Sequence, residues 1–120
     1  MAIQHANPGD VIDIRPLGPA LVDTKTAALI KTDHLEVIRL VLPRGKDIPT
    51  HLTRGEITVQ CLEGRVAFTS HGVRHELEAG QLLYLGAREP HAVLGIEDAS
   101  LLVTITFPRD VPATESTVPA

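Results

Sequence analysis

From Leu35 to Phe107, apolar side chains recur at every second residue in short runs, and turn-forming residues break each run. Period two puts alternate side chains on opposite faces of an extended chain, so the pattern predicts strands rather than helices. The runs are Leu35–Leu42, Ile57–Leu62, Val66–Thr69, Val73–Leu77, Gln81–Leu85, His91–Leu94 and Leu101–Phe107. Between them stand Pro43 with Gly45, Glu63-Gly64, His71-Gly72, Ala79-Gly80, Gly86 to Pro90, and Glu97-Asp98. Gly and Pro punctuate a chain in this way because they supply the dihedrals that tight turns need. Regularly spaced short strands predict an all-β sandwich or barrel. Leu35–Leu42 is apolar on both faces, with Val37 and Val41 on one and Ile38, Leu40 and Leu42 on the other. Such a strand is expected between two packed layers.

A chain of 120 residues fits one domain with one core. Hydrophobic residues make up 43% but aromatics only 2%, so Val, Ile, Leu and Ala must fill the interior. Eleven basic and fifteen acidic residues give a formal charge of −4, with no basic patch. Nucleic acid is therefore not an expected partner, since such binding rests on neutralising phosphates. The single cysteine, Cys61, allows no intramolecular disulfide and fits a reducing compartment. Met1 to Asp10 shows neither the basic start nor the apolar run of a signal peptide. No apolar stretch approaches the roughly 20 residues that span a bilayer. These features predict a cytoplasmic protein with no membrane partner.

Ahead of the main series, Val11–Ile14 and Ala27–Thr32 are expected as extra strands, joined irregularly through Pro16, Gly18 and Pro19. Residues 1–33 are thus expected to pack on the barrel or on a dimer partner, with the barrel itself in 34–107. From Pro108 onward, Pro112 and Pro119 sit among Thr, Ser and Ala, and 108–120 is expected to be a flexible tail.

The stretch from Pro43 to Gly64 resembles the first motif of the cupin family: Gly, five residues, His, one residue, His, three or four residues, Glu, six residues, Gly. Gly45, His51 and Gly64 match it; Thr53 occupies the second histidine place and Ile57 the glutamate place, with Glu56 one residue early. The second family motif is Gly, five residues, Pro, one residue, Gly, two residues, His, three residues, Asn. Gly80 and His91 match it, while Gly86, Arg88 and Gly95 replace the other three. The resemblance covers Leu35 to Phe107 and implies a double-stranded β-helix, or jelly-roll, barrel with His51 and His91 facing inward. It also implies a divalent transition metal (iron, manganese, nickel or zinc), with His51, His91 and Glu56 as the ligands this chain could offer. The absence of any metal is weighed equally, because the second imidazole is missing and the carboxylate place is apolar. A β-bulge at Gly55 would turn Glu56 inward. The regular alternation from Ile57 to Cys61 favours Glu56 pointing outward instead.

The candidate ligand-binding residues are His51, Thr53, Ile57 and His91, joined by Tyr84 and Arg39. Tyr84 could present its hydroxyl to a ligand, with core packing as the alternative reading. Arg39 lies within an apolar strand, where it either lines a cavity, pairs at an interface or snorkels at a sheet edge. Cys61 reads as a small buried hydrophobe, and His5, His34, His71 and His75 receive no role. The function expected is binding of a small molecule inside the barrel, with at most a partial metal site and no catalytic residue assignable. The alternative is a metal-dependent oxygenase, isomerase or decarboxylase acting on a small metabolite. The resemblance further implies a homodimer, to which an N-terminal strand would contribute.

Overall fold

A computed structural model describes residues 5–108. Among these residues nine strands form: β1 (Ala27–Lys31), β2 (Leu35–Leu42), β3 (Asp47–His51), β4 (Ile57–Glu63), β5 (Arg65–Ser70), β6 (Val73–Glu78), β7 (Leu82–Leu85), β8 (His91–Gly95) and β9 (Ala99–Thr106). They build a five-stranded sheet, β1-β2-β9-β4-β7, and a four-stranded sheet, β3-β8-β5-β6. Every pairing is antiparallel. From β2 to β5 and again from β6 to β9 the chain changes sheet at each step, which winds it as a double-stranded β-helix. Among the described residues, no helix is long and apolar enough to cross a membrane.

Alternation along the strands explains the core. Ile57, Val59 and Cys61 in β4 and Leu101 in β9 turn one set of side chains inward, against Val66 and Phe68 of β5. At Gly64 the backbone has φ +77°, and an added Cβ would meet the Asp98 carbonyl oxygen at 2.0 Å. Only glycine fits that crossing, because it alone tolerates both the dihedral and the close approach.

Three expectations about elements need correction. Val11–Ile14 forms no strand; its neighbourhood is locally satisfied instead, with Asp13 accepting the Arg15 N–H and Asp10 that of Asn7. The link after it is not merely irregular, because Gly18–Asp23 is a 3-10 helix that buries Leu21. β3 escaped the sequence reading because Pro49 interrupts its pattern. A proline is tolerated there because β3 is an edge strand. The expected tail at 108–120 lies outside the described residues, apart from Pro108.

The N-terminal segment is held on the outer face of the five-stranded sheet. Glu63 accepts hydrogen bonds from the Leu17 N–H at 2.8 Å, the Gly18 N–H at 3.0 Å and the Ser100 hydroxyl. Arg39 stands 3.4 Å from the same carboxylate and donates to the Arg15 carbonyl. Its Nε is buried without a partner.

Candidate binding cavity

Between the two sheets lies a cavity of about 150 Å³. The five-stranded sheet lines it only with aliphatic side chains, among them Ile57, Val59 and Val103. The four-stranded sheet supplies Ile48, Phe68, Val93 and the two histidines, His51 and His91. Among the described residues, those imidazoles are the only polar side chains lining the cavity.

Register brings the pair together. β3 and β8 are antiparallel neighbours in which His51 and His91 stand directly opposite. Their ring centroids are 4.4 Å apart, edge to face, and Phe68 stacks on His91 at 5.4 Å. His91 is 5% exposed, whereas His51 is exposed and stands at the solvent side of the cavity.

Each ring is fixed in the same way by its own strand. His51 Nδ1 lies 3.0 Å from the Pro49 carbonyl oxygen, and His91 Nδ1 lies 2.9 Å from that of Glu89. A carbonyl can only accept, so Nδ1 carries the proton in both rings. In the neutral imidazole this leaves Nε2 as a bare acceptor, and neither Nε2 has a partner among the described residues. Burial holds the His91 pKa below the usual 6.5 and the neighbouring His51 adds to that; the Glu89 carbonyl opposes it without reversing it. The net effect favours the neutral ring of His91.

The other candidate residues lie elsewhere. Thr53 is not in the lining; its hydroxyl donates to the Gly55 carbonyl at 3.1 Å and so closes a turn. Ile57 does line the cavity, occupying the space of the expected carboxylate. Glu56 faces outward, where it accepts a hydrogen bond from the hydroxyl of Tyr84. That bond raises the Tyr84 pKa above its ordinary value. No bulge forms at Gly55, whose role is close packing: an added Cβ would fall 1.8 Å from the Thr106 carbonyl oxygen. Tyr84 is 61% exposed and does not line this cavity, so it is not a core residue. Arg39 is buried with Glu63 and Ser100 and does not line the cavity. Cys61 is buried as expected, and burial raises its thiol pKa.

Sequence reasoning missed the carbonyls that orient the rings, and Phe68. Only Phe68 left a signal, as the single aromatic on the inward register of Val66–Ser70.

The donor set does not fit a complete divalent metal centre. Such a centre uses three or four protein ligands. Among the described residues, no group of three or more His, Cys, Asp or Glu side chains is placed to hold an ion. The two imidazoles have no third donor beside them, since Glu56 points away and Thr53 is engaged in its turn.

Two facing antiparallel sheets wound as a double-stranded β-helix, with paired inward imidazoles, define the class. The cupin domain family model matches residues 38–107, and the chain belongs to that family. Among solved structures it is similar to a cupin superfamily protein from Desulfitobacterium hafniense, at 18% identity and TM-score 0.71, covering 86% of this chain and 100% of that one. It is similar also to a conserved protein of unknown function from Streptococcus pyogenes, at 21% identity and TM-score 0.71, covering 91% and 99%. A third is an RmlC-like cupin with a double-stranded β-helix fold from Methanocaldococcus jannaschii, at 19% identity and TM-score 0.63, covering 82% and 93%. At these identities the likeness carries the fold alone. No curated protein matches the chain.

Proposed function

We propose that the protein binds a small, mainly apolar molecule between its two sheets, with His51 and His91 at the polar end of the cavity. The observation that carries this reading is the pair of imidazoles, each with its Nδ1 committed to a backbone carbonyl, at one place in an otherwise apolar space of about 150 Å³. A ligand that hydrogen-bonds to Nε2 while filling apolar space gains from both contacts. An apolar cavity of about that size accommodates a molecule as large as benzene. Small aromatic or branched compounds are thus the class to screen.

Thermal unfolding with a panel of benzene-sized compounds tests the reading. A ligand at about 100 times its Kd stabilises the folded state by about 2.7 kcal/mol, which is a clear rise in Tm. A panel that leaves Tm unmoved contradicts it.

A metal-dependent enzyme is the second reading. The anchored Nδ1–H groups favour it, since ligating histidines are commonly oriented by a backbone carbonyl in this way. Such an enzyme would need donors from the substrate or water. Tag-free protein holding less than about a tenth of an equivalent of tightly bound metal contradicts this second reading.

The protein is proposed to act as a cytoplasmic homodimer. The single buried thiol supports a reducing compartment. Val11, 97% exposed, lies in a segment without a ladder of its own, and the edge strand β7 leaves Leu82 64% exposed. Uncovered edges and apolar segments of this kind are covered by pairing with a second chain.

A further inference from the structure

The cavity's polarity is one-sided. Its two polar side chains both give their ring N–H to backbone carbonyls, so what remains for a ligand is two lone pairs and not one donor. The rest of the lining is aliphatic apart from Phe68. From this we infer that the site selects a neutral hydrogen-bond donor, a hydroxyl or N–H on a benzene-sized apolar body, and turns away molecules carrying only acceptors or a negative charge. The inference rests on the cavity being a binding site and names what that site accepts.

Three physical facts support it. His91 is 5% exposed, so a ligand that fills the cavity without a donor shuts water away from Nε2 and leaves it unpaired. The ring cannot flip its tautomer to suit an acceptor without losing the hydrogen bond to the Glu89 carbonyl. Among the described residues no Lys or Arg lines the cavity, so a carboxylate would lose its water and face two lone pairs. Selectivity of this kind is steep, because a site built around a hydrogen bond discriminates strongly against an analogue that cannot make it.

Calorimetric titration at about pH 8, where free imidazole is neutral, separates the outcomes with phenol, toluene, benzene and benzoate as probes. Phenol and toluene have the same shape and differ in the donor. A plain apolar cavity prefers toluene, which leaves water more readily. The expected result is phenol binding at least about tenfold tighter than toluene, with benzoate giving no measurable heat. Toluene binding as tightly as phenol, or benzoate matching phenol, overturns the inference while leaving a binding cavity in place. No heat from phenol, toluene or benzene overturns the cavity reading itself. In His91→Leu the preference for phenol is expected to vanish while toluene still binds, which also reports that the variant is folded. Retention of the phenol preference in that variant counts against the assignment. Should the variant not fold, the wild-type comparison decides alone.

Discussion

At the end of β4, the carboxylate of Glu63 gathers two backbone N–H groups, a serine hydroxyl and the Arg39 guanidinium. Burial pushes the Glu63 pKa up. The Leu17 N–H, the Ser100 hydroxyl, the Gly18 N–H and the Arg39 charge outweigh that and hold it below 4.5. A depressed carboxylate pKa adds stability that is complete above the unfolded value and is lost as pH falls through the folded one. Glu63→Gln is expected to cost about 2 kcal/mol at neutral pH, with the gap to wild type narrowing below about pH 4.5. Urea unfolding at both pH values measures it; a gap that stays constant with pH would show that the charge is not what matters. The cavity-lining places of His51 and His91 were legible only through the motif resemblance, and that of Ile57 through alternation along β4. Arg39 was legible only as an anomaly, since its partners Glu63 and Ser100 come from β4 and β9 and no local pattern links them. Tyr84 and Glu56 meet across β4 and β7 in a register that the sequence does not display.

Two glycines show how backbone geometry rather than side-chain pattern sets the ends of the strands. Gly55 lies against the Thr106 carbonyl, where β9 ends beside the start of β4. A methyl group there meets backbone that cannot move aside. Gly72, with His71, forms the two-residue turn joining β5 and β6, and both residues have positive φ. Open space surrounds it, so a methyl costs only conformational strain. Gly55→Ala is expected to lose about 3 kcal/mol and Gly72→Ala about 1 kcal/mol in denaturant unfolding. The reverse order would contradict this account of the β4–β9 junction. Most strands were legible as short apolar runs bounded by turn residues, with clear alternation in β4 and β8. β3 was not, because Pro49 breaks the pattern at an edge where the fold tolerates it. Val11–Ile14 misled for the opposite reason: alternation alone does not supply a neighbouring strand to pair with.

On the scale of the whole molecule, the cavity follows from the composition. In a chain with only 2% aromatics the core is filled mainly by aliphatic side chains, and the two sheets leave a space that those side chains do not close. The uncovered β7 edge and the unpaired Val11 segment carry the proposed dimer. Light scattering at micromolar concentration should give about twice the 12.9 kDa chain mass, and a stable monomer would refute it. Most direct of all is the protonation of the two rings, since the proposed chemistry depends on bare Nε2 atoms facing the cavity. Long-range proton–nitrogen NMR of the unliganded protein at about pH 8 should show both His51 and His91 protonated at Nδ1, with the Nε2 resonances moving when phenol is added. A proton on Nε2 of either ring would contradict the account.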